Sequence, residues 1–133
     1  MKQITLPARI DCLKTLNDFV SENIHGAGIN GSQKNKILFA VEEIFLNIAN
    51  YAYIAGDGDA TIRINVEVEQ IILEFRDSGK PFNILEKEDP NLNLDIENRE
   101  TGGLGIYMVK RIMDEVYYEY NNGQNVLTIC KNV

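Results

Sequence analysis

Glu43 and Asn47 stand four residues apart within EEIFLNIANYAY (42–53). On a helix this spacing sets a carboxylate one turn from a carboxamide, on a ridge shared with Tyr51. The amide oxygen can ligate a hard cation such as Mg2+ while the carboxylate takes a proton or holds a water beside it. The same pair also reads as a partly solvated helix face with Asn47 tied to a loop. Asp77 is the second group of interest, because it follows Ile71, Leu73 and Phe75 in phase and so points toward the core side of a sheet. A carboxylate buried there needs donors from the protein or from the amino group of a bound base, since an unpaired one is costly or simply protonates. Capping the turn at Ser78-Gly79 through its own backbone is the competing role. Third, Thr101-Gly102-Gly103-Leu104-Gly105 leads directly into a helical pattern. Glycines allow close approach to unpaired helical amides at the positive end of the dipole, where a phosphate chain fits. A glycine hinge that packs the helix on a sheet accounts for the same letters. No Gly-Lys-Ser/Thr follows and no strand precedes, so this is neither a Walker loop nor a dinucleotide fingerprint.

These groups have to be held by the elements around them. Lys2 to Pro7 reads as a short strand, and from Ala8 to about His25 the residues Ile10, Leu13, Leu16, Phe19, Val20 and Ile24 recur at helical spacing. Ser32 is the expected N-cap of a second helix with a broad apolar stripe from Ile37 to Ala52. That helix carries Glu43 and Asn47 on a ridge away from the stripe, yet the ridge's neighbours Ala40, Leu46 and Ile54 are those of a covered surface. Thr61 to Glu69 alternates strictly, with Ile62, Ile64, Val66 and Val68 on one face. A turn at Glu69-Gln70 leads to a strand over Ile71–Asp77. Residues 83–101 are polar and aperiodic, which predicts a functional lid. A third helix turns Ile106, Val109, Ile112 and Met113 inward, and strands Val116–Tyr120 and Asn125–Cys130 pair across Asn121-Asn122-Gly123-Gln124. The order predicts one domain over residues 1–133, with helices layered on one face of a mostly antiparallel sheet.

Composition narrows the chemistry. The 133 residues carry 13 basic and 20 acidic side chains, a formal charge of −7. That field repels phosphate backbones and anionic lipid, so neither nucleic acid nor a membrane surface is the expected partner. One histidine and two cysteines exclude a multi-histidine zinc site and a C-x-x-C motif. Cys12 and Cys130 read as reduced small hydrophobes, and the absence of a long apolar run predicts a cytoplasmic location.

Taken together and in this order, EEIFLNIANYAY (42–53), RDSGKPF (76–82) and TGGLGIYMVKRIMDE (101–115) resemble the N, G1 and G2 boxes of the GHKL, or histidine-kinase-like, ATPase superfamily. Within it the phrasing is most similar to the anti-sigma factor serine/threonine kinases. The resemblance implies a Bergerat-type ATP-binding fold, an α/β (α+β) two-layer sandwich with helices on one face of a mixed, mainly antiparallel sheet. It implies Glu43 as general base and Asn47 as ligand of Mg2+. It further implies Asp77 on the adenine amino group with Gly79 leaving room beside the ring, Thr101, Gly103, Leu104 and Gly105 around the phosphates, and Thr128 near the adenine.

The implied activity is ATP-dependent phosphorylation of a serine or threonine on an anti-anti-sigma (STAS-domain) protein, alternating with sequestration of a sigma factor, by a homodimer. The alternative is a module that uses nucleotide to gate those associations without transferring phosphate. Two positions depart from the family pattern: Tyr51 stands where many relatives have histidine, and Thr101 where some kinases have arginine.

Overall fold

The computed structural model describes residues 1–53, 58–86 and 103–133. In chain order these form β1 (Lys2–Pro7), a 3-10 turn at Ile10–Cys12, α1 (Leu13–Ile24), α2 (Gly31–Tyr51), β2 (Asp59–Val66), β3 (Gln70–Asp77), a 3-10 turn at Ile84–Glu86, α3 (Gly103–Ile112), β4 (Glu115–Asn121) and β5 (Gln124–Asn132). The five strands make one sheet in the order β1-β2-β3-β5-β4. Every pairing in it is antiparallel, so the parallel neighbours that a mixed sheet would contain do not occur among the described residues. The layered α+β class is as expected.

Alternation decides which side of the sheet is dry. On β3 the buried residues are Ile71, Leu73, Phe75 and Asp77, and register sets them opposite Lys131, Ile129, Leu127 and Asn125 of β5. The apolar members join Ile62 and Ile64 of β2 in a core with Leu16, Val20 and Ile24 of α1 and Ile37, Val41, Ile44 and Phe45 of α2. Fully burying side chains such as Phe45 and Phe75 stabilises the fold by about 1.5–3 kcal/mol each. Val109 and Met113 bring α3 and its following residue onto the same core.

Three local expectations need correction. The cap of α2 is Asn30 rather than Ser32: the Asn30 side chain accepts from Gln33 N at 2.8 Å, and the Gln33 side chain accepts from Asn30 N at 3.2 Å. This reciprocal box satisfies two amides at once, which a serine inside the first turn cannot do. Ile10 is 58% exposed, because the chain enters α1 through a 3-10 turn that rotates it outward. β2 ends at Val66, and Val68 is 95% exposed in a turn closed by Glu67 N donating to Gln70 O at 2.8 Å. The turn therefore falls one residue earlier than the alternation suggested. Of the expected lid, Asn83 to Glu86 are described and end in the second 3-10 turn, while residues 87–101 lie outside the described residues. The β4–β5 hairpin turns at Asn122 (φ 54°) and Gly123 (φ 78°), the two left-handed residues that a type I′ turn requires.

Candidate functional site

Asp77 ends the dry face of β3 and is 6% exposed. Its Oδ1 accepts from Gly79 N at 3.0 Å and from the Asn125 side-chain Nδ2 at 2.9 Å. Both roles weighed from the sequence thus hold: Asp77 caps the turn and is a buried carboxylate met by protein donors. It lies in a cleft of about 440 Å3, counting its open mouth, between α2 and the sheet. Ile44, Ile48, Phe75 and Leu127 supply apolar walls, and Phe82 and Ile84 close the side nearest the 3-10 turn. An apolar slot with a few fixed polar groups is how proteins hold a flat ring.

Asn47 lines the same cleft and is 7% exposed. Its Nδ2 donates to the backbone oxygen of Glu43 at 2.8 Å, which fixes the amide. Its Oδ1 is buried and has no hydrogen-bond partner among the described residues. An orphaned buried carbonyl costs about 1–3 kcal/mol, so a cation ligand there would remove a penalty. Among the described residues no group of three or more His, Cys, Asp and Glu side chains could hold a metal. The donor set fits Mg2+, which is commonly held by one or two protein oxygens with phosphate and water supplying the rest.

One turn before Asn47, Glu43 is half-buried whereas Glu42 is exposed. Burial raises the Glu43 carboxyl above the usual carboxylate range, and the neighbouring Glu42 charge adds to the rise. Gly105, in the first turn of α3, sits against it: a Cβ on Gly105 would lie 1.9 Å from Glu43 Oε2. With glycine at this position the Glu43 carboxylate can lie directly against the start of α3. Gly103, Leu104 and Gly105 all belong to that first turn, with Leu104 39% exposed, so their backbone stands at the positive end of α3 beside Glu43. Thr101 lies outside the described residues.

Gly79 has a role within the protein itself: a Cβ there would lie 2.2 Å from the backbone oxygen of Ala52, where Lys80 N also donates at 3.0 Å. The loop after β3 is thereby pressed onto the C-terminal end of α2. Thr128 does not reach the cleft. Register sets it beside Glu74 of β3 and Tyr117 of β4, on the face opposite Asp77 and Asn125.

Three residues were missed by reading the sequence. Asn125 accepts from Phe82 N at 3.1 Å and donates to Lys80 O at 2.9 Å, so it fastens the loop after β3 to β5. Tyr118 donates to Asn125 Oδ1 from β4. Tyr53 donates to Asp59 O at 2.6 Å and accepts from Ser78 N at 2.8 Å, tying the end of α2 to both flanking strands. Burial raises the phenol of each tyrosine above its ordinary value. The signal for Asn125 was present: it is in phase with Leu127 and Ile129, as Asp77 is with Phe75. Tyr51 lines the cleft and is 41% exposed.

A family model described as a histidine kinase-like ATPase domain matches residues 6–131. A serine-protein kinase RsbW of Bacillus mycoides is 22% identical over 129 residues, which cover 94% of this chain and 81% of the relative. The RsbW of Listeria innocua is 22% identical over 129 residues, 93% and 82% of the two chains. The RsbW of Bacillus licheniformis is 28% identical over 93 residues, 65% of this chain and 58% of that one. Among solved structures, the RsbU and RsbW domains of a Mycobacterium tuberculosis protein superpose with a TM-score of 0.62 at 13% identity. That match covers 98% of this chain and 32% of the other, so this chain spans about a third of that protein's length.

Proposed function

The chain belongs to the family of histidine kinase-like ATPase domains, and from that membership we propose that it is an ATP-dependent protein serine/threonine kinase of the anti-sigma-factor type. The observation that carries this reading is one cleft holding both a buried, hydrogen-bonded Asp77 and an orphaned Asn47 Oδ1. RsbW serine-protein kinases match over 81% of their length, which supports the same assignment.

In this reading Asp77 accepts the exocyclic amino group of adenine between Ile48 and Leu127, which flank the ring. Asn47 ligates Mg2+, which offsets phosphate charge when bound. The amides of Gly103, Leu104 and Gly105 face the phosphates at the start of α3, with Thr101 preceding them. This arrangement suits an acidic chain, because backbone donors hold phosphate without side-chain cations. Glu43 accepts the proton of the attacking hydroxyl as its oxygen bonds to the γ-phosphorus and the bond to the β-phosphate oxygen breaks. A carboxyl raised by burial is the stronger base for that transfer. Positioning supplies most of the rate.

The acceptor is a serine or threonine of a STAS-domain anti-anti-sigma protein, and the alternate partner is a sigma factor. A homodimer acting in the cytoplasm completes the proposal. No helix among the described residues is long and apolar enough to cross a membrane.

The test incubates the protein with Mg2+, labelled ATP and the cognate STAS protein. Label on a serine or threonine of the partner, lost in Glu43→Ala, is the expected result. Nucleotide-dependent complex formation with no label would replace the kinase by a nucleotide-gated binding module.

A further inference from the structure

Among the described residues Asn125 is the most fully engaged polar side chain. Its Nδ2 donates to Asp77 Oδ1 and to Lys80 O, each at 2.9 Å. Its Oδ1 accepts from Phe82 N at 3.1 Å and from the Tyr118 hydroxyl. A carboxamide has two donors and two acceptor sites, so all four are spent on the protein. The neighbours also fix which end is which. Phe82 N can only donate and Lys80 O can only accept, so a flipped amide would set N–H against N–H and oxygen against oxygen. Asn125 is thus 7% exposed in the cleft wall with nothing left for a ligand, and its effect must pass through Asp77.

Among the described residues Asp77 receives two hydrogen bonds, and both end on Oδ1. Oδ2 receives neither of them, and an ionised carboxylate only accepts. A ring amino group can donate to it. A keto oxygen in the same position would meet a carboxylate with no proton to share.

We propose that Asn125 and Tyr118 are positioning residues that hold Asp77 as a fixed acceptor and so select a 6-amino purine over a 6-keto purine. This rests on the assignment of the cleft as the purine site. Tyr118 adds a second donor to the Asn125 oxygen that Phe82 N already holds and so fastens the amide in place, and Asn125 in turn holds Oδ1 so that Oδ2 is the face a base meets. Both residues line the cleft, and their effect on selectivity passes through Asp77. Sites that hydrogen-bond one group reject an analogue lacking it far more strongly than sites that only fit its shape.

The experiment measures binding of Mg-ATP and Mg-ITP by calorimetry to the parent, Tyr118→Phe and Asn125→Asp. ITP bears a keto oxygen in place of the amino group and carries a proton on N1, where ATP has an acceptor; the rest of the nucleotide is the same. The parent is expected to favour ATP by about a hundredfold or more. Asn125→Asp sets a second carboxyl against Asp77, so one of the two takes a proton and the ATP:ITP ratio falls by about tenfold or more. Tyr118→Phe, which removes one hydroxyl from the edge strand and leaves the core intact, lowers the ratio by about two- to tenfold. A merely structural role weakens both nucleotides alike, so an unchanged ratio in Tyr118→Phe overturns the proposal even where Asn125→Asp fails to fold. A parent that binds neither nucleotide refutes the purine-site assignment itself.

Discussion

Replacing Gly79 by alanine tests whether the loop after β3 is clamped onto α2 as described. The new Cβ would lie 2.2 Å from the oxygen and 2.6 Å from the carbonyl carbon of Ala52, and both atoms are backbone. Ordinary contact needs more than an ångström beyond that, and a carbonyl at the end of a helix cannot rotate aside as a side chain would. The loop has to lift, breaking the Lys80 N to Ala52 O hydrogen bond of 3.0 Å. Overpacking of this kind costs about 1–3 kcal/mol, and the lost hydrogen bond adds about 1 kcal/mol. Stiffening of the unfolded chain returns about 0.4–1 kcal/mol, leaving a net loss of about 1–3.5 kcal/mol. For a domain of 133 residues that lowers Tm by about 3–17 °C. Denaturant unfolding and calorimetry read it directly, with Gly31→Ala as control. Gly31 has nothing within 4 Å of its Cβ position at the start of α2, so the control should be neutral or slightly stabilising. A Gly79→Ala protein within about 0.5 kcal/mol of the parent would refute the clamp, since that is the spread of ordinary surface substitutions.

Other perturbations separate stability from chemistry. Gly105→Ala meets only the mobile end of Glu43, at 1.9 Å from Oε2, so the carboxylate should swing away at little cost while alanine favours the helix by up to about 1 kcal/mol. The expected protein melts at or above the parent temperature and has lost most phosphoryl transfer; full activity would contradict the contact. Because the folded state raises the Glu43 carboxyl, the folded protein binds that proton more tightly than the unfolded chain does, and stability falls as pH rises through the raised value. Glu43→Gln should therefore melt above the parent at neutral pH, with the gain vanishing below the usual carboxylate range, and a gain independent of pH would count against buried charge as its source. Asn30→Ala dissolves the reciprocal cap of α2 and should cost about 1 kcal/mol in denaturant unfolding, whereas Ser32→Ala should cost almost nothing.

Periodicity made much of this site legible in the sequence. The phase of Ile71, Leu73, Phe75 and Asp77 identified a buried carboxylate because a strand has a strict period of two. The four-residue spacing of Glu43 and Asn47, beside an unusually apolar helix surface, marked a ridge that the structure shows to be covered at Asn47. What escaped depended on how strands meet. Thr128 and Asn125 differ by an odd number, so one belongs to the cleft and the other to the opposite face. Which face of β5 is which follows from its register with β3, and a single strand does not declare it. Tyr118 reaches Asn125 across the β4–β5 hairpin, and Tyr53 joins segments on either side of β2 and β3 through backbone groups that have no sequence signature. Gly79 and Gly105 were marked by their letters, but the atoms that exclude a Cβ lie on α2 in both cases.

Calorimetric titration of Mg-ATP into the parent protein and Asp77→Asn shows whether Asp77 holds the base. The substitution preserves the size of the side chain but can place an amide donor against the base's own amino group. Saturable binding by the parent, weakened by about a hundredfold or more in a variant with an unchanged fold, is the predicted result. Equal affinity in the two proteins would show that the base is held elsewhere and contradict the account.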